Sequence, residues 1–562
     1  MPRRAKRRGP HPIAAPFTVA APSGVRIRDR LRLTPADAQV LTLAGEHLGR
    51  HQRADLAGRI RIGNIPAREN RRAERKKKLT ALSSSRWAGA MTRASDDQYQ
   101  LSVRCLYQER ASLRRAIGTI GKRLAVPCGQ RHGRVRGYAS QDERFCKQRR
   151  LQVLTGRLAR VERRIETGRP AIVIGGRRLL KARHNLGTAQ LTEAQWRQRW
   201  QAGRLFLTAD GETGAPHGNY TITVDPGTGE VSVVLPEPLR YLANAPRGRY
   251  KLACTAGFHH RRQEWLDRVT ANRAVRYDLV YDPVRDRWYL DASWSAGQAA
   301  LPSPGELARS GARLLAVDLN AGHLAACVVD VHGNPVGQPV TVPLELTGPA
   351  STRDGRLRDA ITWLLDIARE HGCAGLAIEN LGFTDARATG RETMGRGRRG
   401  KRFRHTVAGI PTARFRERLR GMAWHAGMVV VAVDPAYTSI WGGQYWQAPL
   451  RQQARHQRVT RHHGASVAIG RRALGHGIRR RPGVTAPGQR TGTRRATGQT
   501  VTVPEARGTA SPPRTTGTPN RGGKTCWSRS DQPALLPGPQ DRSEGHRLSP
   551  VYGDPANTGQ LA

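Results

Sequence analysis

The chain has 562 residues, with 95 lysines and arginines against 43 acidic residues and a formal net charge of +52. Its length allows two or three domains with a sizeable core, while a hydrophobic content of 38% indicates that part of the chain is unpacked. No apolar run is long enough to span a membrane, which excludes an integral membrane protein. We interpret the excess positive charge as a wide nucleic-acid interface rather than a solvated or membrane-surface charge run.

The cysteines and the first residues bear on the compartment. The seven cysteines form no CxxC pair and are typical of reduced thiols rather than of a disulfide framework. Residues 1–15 are basic and no apolar run follows them, so we expect a disordered segment rather than a signal peptide. The sequence therefore predicts a cytoplasmic protein.

The first predicted element is a strand in which apolar and basic residues alternate from Val25 to Leu33. Its apolar side chains face a core, and Arg26 and Arg28 lie on the opposite, cationic face, where they can contact phosphates. Thr34 and Pro35 then form the start of a helix that we expect to reach about Leu48.

Residues from about 50 to 185 are mostly helical in pattern and very basic. One apolar stripe recurs at three- and four-residue spacing from Leu151 to Ile165. Arg160 and Arg164 lie on the remaining face. We interpret this as a helix that packs by one side and contacts nucleic acid by the other, although a solvated face is the simpler alternative.

From about residue 186 to 300 the pattern changes to strands and turns. Thr221–Pro236 reads as a hairpin, and Tyr277–Trp294 as a second one around Asp282 and Pro283. Five tryptophans fall in this region and are expected to be mostly core residues of a small β-barrel.

Residues 311–475 follow a different order, after a linker at 302–310. Three strands are followed by a helix, a strand, a helix, a strand and a last helix from about 460 to 474. This is the element order of an RNase H-type mixed sheet, so we expect an α+β multidomain protein. An arginine-rich insertion occupies 386–404, and beyond Gly475 a Pro-, Gly- and Arg-rich composition predicts a disordered basic tail.

Two acidic residues in this region are candidates for metal binding. Asp318 ends the first strand, and Glu379 ends the strand that follows the first helix. If these strands are neighbours, the two carboxylates converge and repel each other, and a divalent cation relieves the repulsion. Mg²⁺ and Mn²⁺ prefer such oxygen ligands, and two ions about 4 Å apart can activate a water for phosphodiester hydrolysis.

Three stretches together carry a resemblance to a known family. They are LLAVDLNAGHLAACVVD, LAIENLGF and FRHTVAGIPTARFRERLRGMAWHAGMVVVAVDPAYTS. They resemble the split RuvC nuclease domain of TnpB, an insertion-sequence accessory protein, and of the compact type V CRISPR effectors. The resemblance is strongest over 311–475, and its most specific parts are DPAYTS and the IP-x3-F-x3-L pattern before it.

The resemblance implies a domain organisation and partners. Residues 16–34 would supply the first strand of a wedge β-barrel completed by 186–300, and 35–185 would form a helical recognition lobe. Residues 311–475 would be the nuclease domain, and 476–562 the tail. Guide RNA and double-stranded target DNA are the implied partners, and Mg²⁺ or Mn²⁺ the implied cofactor. A group within the insertion would guide a single strand to the site: Arg398, Arg399, Lys401 and Arg402.

The resemblance also assigns site residues, with two departures. Asp318 and Glu379 correspond to the first two RuvC acids, but His462 stands where the third acid is expected. It is either a nitrogen ligand or a helix residue facing nucleic acid, and Asp434 either lends an oxygen or forms the turn before Pro435. The family's zinc-ribbon cysteines are absent from 440–458, so we expect no structural zinc and a degenerate ribbon.

Three functions remain open at this stage. The leading one is an RNA-guided DNA endonuclease with Asp318, Glu379 and His462 at its site. The second is an RNA-guided DNA-binding protein with weak or absent nuclease activity, since the third acid is missing. The third is a non-catalytic, basic RNA-binding protein, against which the two strand-end acids argue.

Overall fold

The computed structural model describes residues 13–64, 71–133, 135–297, 300–381, 412–454 and 458–478. Within these ranges the chain divides into two compact units, one of 13–22 and 300–478 and the other of 23–297. The whole of the predicted arginine-rich insertion and nearly all of the predicted tail lie outside the described residues.

The strands, in chain order, are β1 Phe17–Thr18, β2 Gly24–Leu31, β3 Arg131–His132, β4 Val135–Arg136, β5 Thr208–Ala209, β6 Ile222–Val224, β7 Glu230–Val234, β8 Arg249–Thr255, β9 Arg276–Asp282, β10 Arg287–Ser295, β11 Arg313–Leu319, β12 His323–Val329, β13 Pro335–Pro343, β14 Cys373–Glu379 and β15 Val429–Val433. The α-helices are α1 Pro35–Ile62, α2 Arg72–Thr80, α3 Ser85–Leu124, α4 Gln141–Glu166, α5 Arg177–Ala182, α6 Glu193–Ala202, α7 Arg262–Thr270, α8 Pro304–Arg309, α9 Ala350–Glu370, α10 Thr412–His425, α11 Thr438–Tyr445, α12 Gln447–Gln453 and α13 Arg461–Ala473. Among the helices of these described ranges, none is both long and apolar enough to cross a membrane.

The first unit is organised around a six-stranded sheet of order β1-β15-β14-β11-β12-β13. β11, β12 and β13 are antiparallel neighbours, while β14 and β15 run parallel to β11. The helices α9 and α10 precede the two parallel strands. This is the RNase H-type topology that the element order predicts, and it makes the carboxyl ends of β11 and β14 neighbours.

Period-two alternation along β11 builds a core on each face of that sheet. Leu315 and Val317 pack in the core that contains residues of α9 and α10. Leu314 and Ala316 pack in a separate core that contains Ile469 of α13. Because side chains alternate between faces, Asp318 continues the face that α13 covers.

The second unit contains two antiparallel sheets, of order β2-β10-β9-β5 and β6-β7-β8, which share one hydrophobic core. Trp265 and Trp294 are buried in that core, as predicted for most tryptophans here. The expected closed barrel stays a prediction. One predicted boundary is corrected by the structure. Phe17–Thr18 pairs with β15 in the six-stranded sheet of the first unit, so within 16–34 only Gly24–Leu31 pairs with β10 of the second unit.

The helical part of this unit is more continuous than predicted. α1 runs to Ile62, well beyond the expected end near Leu48. It continues through Gly49 and Gly58, and no proline follows Pro35 within it. The predicted apolar stripe of α4 meets α3, where Leu106, Leu113 and Val161 form a small core. α3 and α4 therefore pack along this stripe.

The segment predicted to be a degenerate zinc ribbon is helical instead. α11 and α12 occupy Thr438–Gln453, and Trp446 is buried at 4% exposure. α11 crosses α13 closely, since a Cβ on Gly442 would lie 2.4 Å from the Gly464 carbonyl oxygen. Without cysteine ligands, apolar burial and small residues at a helix crossing stabilise this segment.

Candidate metal centre at the ends of two parallel strands

The two predicted acids lie side by side in the structure. The parallel register pairs Val317 of β11 with Ile378 of β14, so Asp318 and Glu379 each follow a paired residue at the carboxyl end of its strand. Neighbouring strands are about 4.8 Å apart. Both acids continue the face that α13 covers, since Ala316 and Ala377 belong to the core on that face.

Asp318 is held in place by two polar neighbours. It is 4% exposed. Its Oδ2 accepts a hydrogen bond from the Asn320 side-chain amide at 3.1 Å and lies 2.8 Å from Nδ1 of His462. The turn after β11 supplies Asn320, and the first turn of α13 supplies His462. The Asp318 carboxylate is thus oriented by one local and one distant contact.

The start of α13 explains why His462 reaches this point. Thr460 caps the helix: its hydroxyl accepts from the His462 backbone N–H at 3.3 Å, and its own N–H donates to Nδ1 of His463 at 3.1 Å. Nε2 of His463 lies 2.9 Å from the Thr341 hydroxyl on β13. These contacts fix the helix end to the sheet, so His463 is structural and His462 is directed to Asp318.

The environment of the Glu379 carboxylate favours the binding of a proton or a cation. Burial and the neighbouring charge of Asp318 raise the pKa of Glu379 well above its ordinary value, and the Asp434 carboxylate adds to the effect. The Thr438 hydroxyl donates a hydrogen bond to Glu379, and Arg472 lies near enough to oppose the shift. Two crowded carboxylates of this kind gain stability when a divalent cation replaces the proton.

His323 is a neighbour of this site that the sequence analysis missed. Its ring meets the His462 ring edge to face, with centroids 5.3 Å apart. Burial, and then the charge of His462, lower the pKa of His323. Its position could have been inferred, because it opens the strand that pairs with the strand bearing Asp318.

The Asp434 carboxylate forms hydrogen bonds in the turn before Pro435, and its role as an oxygen ligand stays a prediction. Its Oδ1 accepts the Ala436 backbone N–H at 2.8 Å, and its Oδ2 accepts the Ala14 N–H at 2.9 Å. Arg472, 6% exposed, donates to the carbonyl oxygens of Asp434 and Ala436. Because Thr438 follows this turn, Arg472 fixes the loop that presents the Thr438 hydroxyl to Glu379.

The acids are suited to a divalent ion, but the third ligand is not preformed. No group of three or more histidine, cysteine or acidic side chains is arranged as a metal site within the described ranges. Asp318 and Glu379 supply hard oxygen donors, and burial together with the charge of Asp318 raises the pKa of Glu379. His462 has one ring nitrogen directed to Asp318, which leaves Nε2 as its other donor atom.

The arginines predicted to contact nucleic acid fall into three groups. Arg26 and Arg28 both bind Asp291 of β10, a fully buried carboxylate, with Arg28 Nη2 at 2.7 Å from Oδ2. The cationic face of β2 is therefore partly neutralised, which the sequence did not predict. Arg160 and Arg164 are exposed on α4, as expected. The remaining candidates, Arg398, Arg399, Lys401 and Arg402, lie outside the described residues.

Comparisons with known proteins give structural matches only. No family profile and no curated protein matches the sequence. Among solved structures the chain is similar to T. thermophilus RuvC in complex with a Holliday junction substrate, at 18% identity and a TM-score of 0.20, over 30% of this chain and 93% of RuvC. It is also similar to Cas12f1 in the Cas12f1–sgRNA–target DNA complex, at 10% identity and a TM-score of 0.30, over 80% of this chain and 98% of Cas12f1.

Proposed function

We propose that this chain is an RNA-guided DNA endonuclease that hydrolyses phosphodiester bonds at Asp318 and Glu379 with the help of a divalent cation. One observation carries the proposal: the two acids end neighbouring parallel strands, and the charge of Asp318 contributes to the raised pKa of Glu379. Two carboxylates placed so closely are costly unless a cation or a proton separates them.

Charge and motifs supply the rest of the proposal. A net charge of +52 suits the retention of a guide RNA and a DNA duplex through their phosphates. The DPAYTS stretch and the segments around the two acids resemble those of TnpB and the compact type V effectors. Guide RNA, target DNA and Mg²⁺ or Mn²⁺ are therefore the proposed partners and cofactor.

The residues of the site have separate roles in this proposal. Asp318 and Glu379 would hold the ion, which supplies Lewis-acid polarisation of a phosphate and an acidified water. His462 orients the Asp318 carboxylate through Nδ1. Thr438 orients Glu379, and Arg472 fixes the turn that carries Thr438.

The experiment uses the full chain purified with RNA from its own locus and a duplex DNA with a matched target. Cleavage with Mg²⁺ or Mn²⁺ that is lost in Asp318→Ala supports the proposal. Asp366→Asn is the matched control, since Asp366 is an exposed acid of α9 that pairs with Arg369 of its own helix. Equal loss in both variants contradicts a specific role for Asp318.

A second function is favoured by the contact between His462 and Asp318. Because a histidine binds Asp318 where the family has a third acid, the ion site has one oxygen ligand fewer than expected. An RNA-guided DNA-binding protein with weak or absent cleavage follows from that deficit. Guide-dependent binding without cutting, in either metal, identifies this function, and absence of guide-dependent binding excludes both and leaves a plain RNA-binding protein.

A further inference from the structure

The second unit contains a polar cavity of about 290 Å³ beside the β6-β7-β8 sheet. This volume is more than ten times the roughly 10–15 Å³ that a cavity needs to admit one water, so it has room for a ligand much larger than a water molecule. Arg249, at the start of β8, lines it together with Thr223 and Ser232 from the two adjacent strands. All the residues that line it belong to this unit.

Arg249 is a half-buried cation whose partners are all neutral. Its Nη1 donates to the hydroxyls of Thr223 and Ser232, each at 2.9 Å, and its Nη2 donates to the Tyr220 carbonyl oxygen at 2.7 Å. Within the described ranges no carboxylate oxygen lies within ion-pair distance of it. Burial, and then the charge of Arg247, lower the pKa of Arg249, so an anion in the cavity would stabilise the charged form.

The two carboxylates in the cavity wall are engaged with other groups. Glu230 pairs with Lys251 at 2.9 Å. Asp225 accepts the backbone N–H groups of Gly227 and Thr228 at 2.9 and 2.7 Å, which lowers the pKa of Asp225 and keeps it ionised. Ionised carboxylates accept hydrogen bonds but repel anions. They therefore favour the neutral, hydrogen-bond-donating part of a ligand on their side of the cavity.

We propose that this cavity binds one nucleoside phosphate unit, with its phosphate on Arg249 and its hydroxyl or amino groups toward Asp225 and Glu230. An arginine with hydroxyl neighbours is a favourable phosphate site, because each charge-assisted hydrogen bond is stronger than a neutral one. A nucleoside phosphate also has the required second part, since ribose hydroxyls and base amino groups donate hydrogen bonds. The ligand is a free nucleotide or one nucleotide of a bound strand.

Isothermal titration of the full chain with 5′-AMP, at about 0.15 M salt, tests the proposal, because that salt screens exposed charges. Arg249→Gln is expected to weaken AMP binding at least about tenfold, the effect of losing hydrogen bonds to a charged group. Arg287→Gln removes one exposed arginine of the same unit and is expected to leave the affinity unchanged. Arg249→Lys keeps the positive charge but loses the planar guanidinium with its paired N–H donors, so it should bind AMP with intermediate affinity. Because it keeps the charge, it also controls for a folding defect in Arg249→Gln.

Inorganic phosphate and a short single-stranded oligonucleotide complete the test. Phosphate that binds as tightly as AMP overturns the nucleoside part of the proposal. Equal weakening by Arg249→Gln and Arg287→Gln, or no weakening by either Arg249 variant, overturns the site itself. Displacement of AMP by the oligonucleotide assigns the cavity to a nucleotide of a bound strand, and simultaneous binding of both assigns it to a free nucleotide.

Discussion

His462 Nδ1 lies 2.8 Å from Asp318 Oδ2 and so joins the first turn of α13 to the end of β11. The residue at this position was expected to be either a metal ligand or a basic residue facing nucleic acid. The contact gives it a third role, that of orienting the first acid. It also limits how His462 can take part in metal binding, because only Nε2 remains available for an ion.

Replacement of His462 by aspartate tests whether the missing third carboxylate limits metal binding at the site. His462→Asp places a third carboxylate beside Asp318 and Glu379, so in the absence of divalent ions we expect stability to fall by about 1–2 kcal/mol through like-charge repulsion. With Mn²⁺ or Mg²⁺ the loss should reverse, with about tenfold tighter binding of the ion. Thermal melting with and without each metal measures both effects.

His332→Asp is the control for that experiment, since His332 is exposed in the turn between β12 and β13. Its melting temperature should not depend on the added metal. A metal response of equal size in the two variants would contradict the assignment of the site.

Glu379→Gln should stabilise the metal-free protein. Because the pKa of Glu379 is raised in the folded chain, the native state holds a proton that the unfolded state has released. Stability is therefore lost as pH rises from the ordinary glutamate pKa to the raised one, and it stays low above that. The variant has no such proton to lose, so its advantage over the natural chain should grow with pH across this window.

Denaturant unfolding at several pH values, in the presence of a chelator, measures that advantage. Glu370→Gln, at an exposed position of α9, is the control and should show no growing advantage. If the two variants follow the same pH profile, the raised pKa of Glu379 is wrong.

A buried ion network joins the first three helices, and its removal should be costly. Arg75 binds Asp55 at 2.7 Å and Asp96 at 2.9 Å, with all three side chains largely buried. Arg75→Met leaves two buried carboxylates without this partner, so we expect a loss of about 3–5 kcal/mol. Arg197→Met breaks an exposed pair with Glu193 and should cost no more than about 1 kcal/mol. Equilibrium unfolding of the two variants compares their losses in free energy of unfolding. Equal losses would contradict the expectation that burial makes the Arg75 network more important to stability than the exposed pair.

Two of the three groups of arginines predicted to bind nucleic acid lie within the described residues, and they should respond differently to substitution. Arg160→Gln with Arg164→Gln removes exposed charge from α4, so we expect weaker RNA binding and a shallower dependence on salt, with unchanged stability. Arg28→Gln removes one partner of the buried Asp291, so its main effect should be a lower melting temperature. Binding isotherms at several salt concentrations, together with thermal melts, separate the outcomes. A stable Arg28→Gln variant with a large RNA-binding defect would contradict the interpretation that Arg28 mainly pairs with Asp291, and would indicate that it contacts nucleic acid.

The strand pattern explains how much of the fold could be predicted. The apolar runs of β11 and β14, which end in Asp318 and Glu379, are local features of the chain. They specify strands with acids at their ends, and the order of strands and helices then permits few topologies. The RNase H-type sheet and the proximity of the two acids follow from these features.

Partners that are distant in sequence could not be predicted in the same way. Asp291 lies 263 residues from Arg28, and only the pairing of β10 with β2 brings the two side chains together. In the same way, the position of α13 on the sheet determines that His462 meets Asp318. The sequence left the role of Asp434 open, and only the structure shows that its carboxylate accepts the Ala436 N–H within the turn.

The sequence by itself determined the location of the candidate metal site, because strand-end acids and the high positive charge are properties of residue order and composition. The tertiary structure decided which charged side chains are already paired and which remain available to bind a ligand. It neutralised part of β2 with Asp291, gave His462 a carboxylate partner, and left Arg249 among neutral oxygens in a cavity. The physical reason is that the availability of a charged side chain for binding depends on its nearest partners and its burial. Those depend in turn on strand register and helix packing, which bring together residues that are hundreds of positions apart in sequence.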